Sequence, residues 1–191
     1  MPFLLDHCLP LTMISRDSDG AGSWSTFAIQ VGTPAQTARV IFSSAGYEAW
    51  VVDPQGCPEE YQGNCAHNRG GIVEVENSTS WSYIDVTTLA LQTNLEYEGN
   101  GKFGYDEVTL GYPTSGGVSM RGILASIASP DFWLGQMGFD PAPSNFTNLN
   151  NPQPSFMWNL VNQAIIPSTS WSYTAGAAYS MCRTSQMIVE V

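Results

Sequence analysis

Few side chains in this 191-residue chain have the type and spacing that chemistry requires. Ser43 and Ser44 follow the apolar run Val40-Ile41-Phe42 and could be nucleophiles. No histidine lies near them in sequence and no Gly-x-Ser-x-Gly elbow surrounds them, so such a serine lacks its base. Asp85, Asp106 and Asp131 could in principle form a pair of acids. Lone carboxylates among turn residues more often cap turns or face solvent, and they are read that way here. Cys8, Cys57, Cys65 and Cys182 are too few and too scattered for a zinc site, with only His7 and His67 to help. Asp53, Glu59 and Glu60 read as a solvated loop without calcium-loop spacing. Trp24, Trp50, Trp133 and Trp171 read as packing groups rather than a sugar platform. No residue set points to a metal or a cofactor.

The elements that would hold these residues are mostly short strands between turns. Trp24 to Val31 alternates large apolar with small or polar residues, as a half-buried strand does. Thr37–Phe42, Ala49–Val52, Ile72–Glu76, Ser82–Thr88, Leu89–Tyr97, Glu107–Gly111 and Gly122–Ala128 read as further strands. One helix is expected, from Pro154 to Gln163, capped by Ser155 and with Pro167 beyond its end. The expected fold class is mainly β, a single lobe with one or two short helices.

Charge narrows the partners. Seventeen acidic residues against six basic give a net charge of -11, which argues against nucleic acid and anionic membrane surfaces. No run approaches the roughly 18 apolar residues of a membrane span. Met1 to Cys8 does not read as a signal peptide, because it has no basic start and Asp6 interrupts the apolar run. The chain is therefore expected to begin after processing or at a misassigned start. Cys57 and Cys65 share a polar Pro/Gly/Asn loop and pair as a short-loop disulfide if the compartment is oxidising. The triplets Asn77-Ser78-Thr79 and Asn145-Phe146-Thr147 are N-glycosylation acceptors that fit the same route.

Val31 to Gln36, Val40 to Val52, Tyr97 to Gly111, Leu134 to Phe139 and Ser155 to Gln163, in that order, resemble the first lobe of a pepsin-like aspartic protease (peptidase family A1), and Pro143 to Thr147, Pro152 to Phe156 and Ser170 to Gly176 look most like a filamentous-fungal branch. Val31-Gly32-Thr33-Pro34-Ala35-Gln36 is similar to the family's Gly-Thr-Pro-x-Gln turn, and Val40 to Val52 to its catalytic strand and Trp-Val strand. Tyr97 to Gly111 resembles the flap hairpin and the Gly-x-Asp-x-Val-x-Leu-Gly strand after it. Leu134-Gly135-Gln136-Met137-Gly138-Phe139 resembles the glycine-rich element under the active site, and Ser155 to Gln163 the helix that follows. The likeness covers residues 22–179 and implies one lobe of the pepsin-like double-psi/β-barrel acid protease fold. Residues 1–21 read as an N-terminal extension and 180–191 as a divergent tail. The resemblance also implies the Cys57–Cys65 disulfide.

In the family, the strand ends in Asp-Thr-Gly-Ser, and the count back from Trp50 puts the aspartate at position 43. Ser43-Ser44-Ala45-Gly46 stands there instead. Aspartic proteases work through two close carboxylates that share a proton, one acting as base on water and the other as acid. A serine hydroxyl cannot take either part. Nor does Ala45 enter positive φ as cheaply as the family's glycine. The second Asp-Thr/Ser-Gly motif would come from a second lobe, which is not expected within these residues.

The resemblance therefore implies a degenerate active site with no intact catalytic residue. It also implies a cleft able to hold an extended peptide, with Tyr97 as the flap tyrosine and Gly99 and Gly101 in the flap. The alternatives are a piece of an active aspartic-type endopeptidase working at acidic pH, and a secreted β-rich binding domain. The implied location is secreted, within the secretory pathway, or vacuolar. A lobe without its partner lobe would expose an apolar face and open strand edges, so self-association is expected.

Overall fold

The computed structural model describes residues 8–15, 23–58, 64–89, 99–111, 117–144, 146, 150–174 and 186–188. Its strands are β1 (Cys8–Ser15), β2 (Ser23–Val31), β3 (Gln36–Ser43), β4 (Trp50–Val52), β5 (Ser82–Leu89), β6 (Gly99–Leu110), β7 (Ser119–Ile127), β8 (Gly135–Gly138), β9 (Ser172–Thr174) and β10 (Gln186–Ile188). Two short helices accompany them, α1 (Cys65–Asn68) and α2 (Phe156–Asn162). The architecture is mainly β, as composition and turn spacing imply.

Six strands close into a barrel in the order β2, β3, β8, β4, β7, β6. The closure depends on β6, whose 12 residues reach three neighbours. Gly99 to Tyr105 pairs with β5, Gly101 to Thr109 with β7, and Val108 to Leu110 with β2. Two pairs inside the barrel, β3–β8 and β4–β7, are parallel, so long connections must cross between them. β1 pairs with β2 and β10, and β10 with β9, so residues 8–15 and 186–188 join the sheet. No helix among the described residues is long and apolar enough to cross a membrane.

Period-two alternation divides the strand side chains between two cores. Phe27, Ile29 and Val31 of β2, Val40 of β3, and Met120 and Leu124 of β7 fill the barrel. Ile123, Ala125 and Ile127 of β7 point the other way and join Trp50, Phe103 and Phe146. There the Phe103 and Phe146 rings stack with centroids 4.7 Å apart. Helix α2 covers the barrel with Phe156, Met157 and Leu160. Its cap is the expected one: Ser155 Oγ accepts from the Trp158 amide at 3.3 Å and donates to the Pro141 carbonyl at 3.1 Å.

The strand expected over Ile72–Glu76 is absent, although its alternation is real. Val73 and Val75 are fully buried while Glu74 and Glu76 are exposed. No strand runs alongside Glu74. Instead, the Gln36 side chain accepts from the Glu74 amide and donates to its carbonyl, and the segment ends in a 3-10 turn over Val75–Asn77. Of the strand expected over Leu89–Tyr97, only Leu89 is described, as the last residue of β5.

Cys57 and Cys65 form the expected disulfide. Arg69 anchors the loop they close. Its guanidinium is buried and donates to five backbone carbonyls: Trp133, Gly56, Ala128, Ser129 and Phe132, at 2.7–3.3 Å. Burial without a carboxylate pushes its pKa down, and the carbonyl ring with the Trp133 face stands in for water. One side chain thus ties the 53–70 loop to the segment entering β8. Arg69→Met would leave those carbonyls unpaired, and it is expected to cost at least about 3 kcal/mol, read as a lowered urea midpoint.

Candidate functional site

The site worth building lies where β3 ends. Val40, Ile41, Phe42 and Ser43 run parallel to Gly135, Gln136, Met137 and Gly138 of β8, so two chain segments meet side by side at their C-terminal ends. The turn from Ser43 to Ala49 folds across this junction. The Phe139 amide donates to the Ser43 carbonyl at 2.9 Å, and the Asp140 amide to the Gly46 carbonyl at 3.0 Å. Ser144 Oγ donates to the Tyr47 carbonyl, and the Gln136 side-chain amide reaches the Glu48 carbonyl. Gly138 permits the contact: a Cβ there would stand 2.4 Å from the Gly46 oxygen and 2.7 Å from that of Glu48.

Within the turn, Ser43 is half-buried while Ser44 and Ala45 are exposed. Ser43 Oγ accepts from the Gly46 amide at 2.9 Å, closing the turn from within. Among the described residues no carboxylate or imidazole bonds to this hydroxyl. Ala45 is accommodated because no residue from Ser43 to Ala49 adopts positive φ.

The other carboxylates do not converge here. Asp85 is exposed and accepts from the Val86 amide, and Asp131 sits exposed in the turn after β7. Asp106 departs from the surface reading. It is completely buried, and its Oδ1 accepts from Ser78 Oγ, Ser80 Oγ and the Glu107 amide at 2.6–3.0 Å. The period-two pattern of β6 turns it inward, where Ser78 and Ser80 supply donors from the preceding loop. Asp53 departs from its reading as a solvated loop residue. It too is buried, its Oδ1 accepting from the Gln55 amide and its Oδ2 from Ser126 Oγ, with Lys102 at 3.7 Å. Glu59 and Glu60 lie outside the described residues. No group of three or more metal-ligating side chains forms among the described ones.

Gly99 and Gly101, expected in the flap hairpin, lie within the continuous strand β6, opposite Leu89 and Thr87 of β5. Tyr97 lies outside the described residues. Gly101 is held by backbone crowding, since a Cβ there would come within 2.2 Å of the Ser126 carbonyl. Asn77 is exposed on its 3-10 turn, its amide bonded to the Glu74 carboxylate. Asn145 lies outside the described residues.

The sequence reading missed Glu48. It is 7% exposed, and its Oε2 is buried without a hydrogen-bond partner. The one available signal was its place between Tyr47 and the buried strand Ala49-Trp50-Val51-Val52. Burial raises its pKa from 4.5 to about 7. Burial also raises the Tyr47 hydroxyl, with the charges of Glu48 and Asp140 adding to the effect. Chemically, the turn can present a hydroxyl and a carboxylic acid that stays neutral in mild acid.

No protein-family model matches the chain, and no curated protein sequence matches it.

Two outcomes follow from these groups. A carboxyl whose folded pKa lies above its unfolded one keeps its proton in the fold after the unfolded chain has released its own. Stability is therefore full below pH 4.5 and falls as pH rises through the folded value near 7, by about 3 kcal/mol from this group. Glu48→Gln is expected to match the wild type in urea unfolding at pH 4.5 and exceed it by that amount at pH 8. Separately, chain expressed in a eukaryotic secretory host is expected to lose mass on amidase deglycosylation, and Asn77→Gln to abolish the share carried there.

Proposed function

We propose that this chain is a pepsin-like N-terminal lobe whose catalytic turn is silent, and that it binds extended peptides without cleaving them. Ser43 carries the reading. At the end of β3, where the family's aspartate would stand, a hydroxyl accepts from the Gly46 amide, and among the described residues no carboxylate bonds to it. Silence at this position does not depend on what lies beyond residue 191, because a dyad needs both acids.

Several features support the family reading. A closed six-stranded barrel contains the Val40–Ser43 strand and the Gly135–Gly138 strand in parallel register, and the capped helix covers its core. The β5–β6 hairpin leads toward the stretch bearing Tyr97, the proposed flap tyrosine, with Gly99 and Gly101 at its base. A peptide would bind by strand addition, its main chain hydrogen-bonded and alternate side chains in pockets. The disulfide and the exposed Asn77 support passage through the secretory pathway, toward secretion or a vacuole. The ends of the sheet at β5 and β9 favour self-association.

Titration calorimetry with a statine-containing hexapeptide should register binding at pH 5, and peptidase assays on denatured haemoglobin should show no turnover between pH 3 and 7. Ser43→Asp alone should remain without turnover for want of its partner acid. Statine-sensitive hydrolysis by the unaltered chain would identify an active endopeptidase instead. Absence of peptide binding at any pH would leave the β-rich scaffold with another kind of ligand.

A further inference from the structure

A carboxyl oxygen buried without a hydrogen-bond partner is unusual, because an unpaired anion in the interior is costly. Glu48, near the end of the turn, has its Oε2 in this position. The turn around it is held to β8 and the residues after it by contacts from Phe139, Asp140, Gln136 and Ser144. None of these neutralises a charge on the Glu48 side chain. From β8 it meets Gln136, a neutral amide that serves its main-chain oxygen. The titratable group beside it is Tyr47 on the turn, which in turn feels Asp140 beyond β8, and both can only add negative charge. His67 lies on α1, and the four described arginine and lysine side chains are held elsewhere. Arg39 donates to Thr26 and Arg69 to its five carbonyls; Lys102 pairs with Asp53 and Glu76, and Arg121 holds the Ser80 carbonyl.

We propose that the proton on Glu48 is the lock that keeps the Ser43–Ala49 turn docked on β8, and that losing it releases the turn locally while the barrel stays closed. The neutral acid tolerates the interior. The ionised form must reach water, and the nearest route is outward with its own turn, whose Ser44 and Ala45 are already exposed. Lifting the turn breaks the hydrogen bonds named above and the one from the Ala125 amide to the Ala49 carbonyl, whereas hydrating Glu48 by unfolding the barrel would break the whole ladder. The smaller opening wins if it costs less than the charge burial that drives it. If the turn floors the peptide cleft, a consequence that rests on the reading proposed above, the cleft is competent in acid and loosened at neutral pH.

Amide hydrogen exchange followed by NMR, corrected for the intrinsic pH dependence of exchange, decides the matter. Between pH 5 and pH 8 the amides of Gly46, Phe139 and Asp140 should lose protection on the order of a hundredfold, as expected when a carboxyl of pKa about 7 is freed to an ordinary 4.5. Amides of the β6–β7 ladder should keep their protection. In Glu48→Gln, and in Glu48→Met as a second variant that cannot titrate, all three turn amides should stay protected across the range. Flat protection in the wild type overturns the proposal. So does an equal loss in either variant, or a loss shared by the β6–β7 ladder. Calorimetry with the statine hexapeptide on the same samples separates the two readings. Titrating turn amides without peptide binding at any pH sink the cleft and leave the lock, while pH-independent binding with flat amides sinks the lock and leaves the cleft.

Discussion

The seam between β2 and β6 is the constraint on which the rest of the molecule depends. A sheet of strongly twisted strands either leaves edges or closes, and here closure rests on three residue pairs, Ile29–Leu110, Gln30–Thr109 and Val31–Val108. The Gly32 amide extends it by donating to the Glu107 carbonyl, and the Gly111 amide by donating to that of Ala28. At its edge lies the buried carboxylate of Asp106. The hydroxyls that satisfy its Oδ1 come from the loop before β5, and that same loop receives the Thr33 amide through Ser78 Oγ. One carboxylate therefore joins the β2–β3 turn, the Ser78–Ser80 loop and β6. With the barrel closed, β3 and β8 have a fixed parallel register, and the turn at Ser43 has a floor.

That floor explains how the turn is fixed. It is held mainly through backbone groups of Ser43, Gly46, Tyr47 and Glu48, with the Ser43 hydroxyl adding one bond from within. A serine there costs the scaffold little, since its hydroxyl takes up the Gly46 amide as a turn-closing group. Fold and chemistry are separable at this turn, since most of what holds it is main-chain pairing.

Much of the fold was legible because alternation is a local signal. Trp24 to Val31, Thr37 to Phe42, Ser82 to Thr88 and the helix from Ser155 were each placed by periodicity and a cap. The same signal misled at Ile72–Glu76, where Val73 and Val75 alternate into the core but the neighbour is the Gln36 side chain. Alternation reports which side is buried; it does not say what supplies the hydrogen bonds. Asp53 and Asp106 were misread for a related reason. A carboxylate is safe inside only when donors reach it, and those of Asp106 come from residues 26 and 28 positions earlier in the chain.

By itself the sequence determined the mainly-β class, the disulfide partners and the capped helix. All of these are local: residue type, period-two or helical spacing, and turn chemistry decide them within a few residues. Only the tertiary structure decided that β6 would close a barrel, that Arg69 would sit inside a ring of five carbonyls, and that Glu48 would be buried without a partner. The desolvation of a charged group depends on every segment packed around it, and those segments are brought together only by long-range pairing. Five residues after Ser43, the fold buries a carboxyl oxygen that no donor reaches.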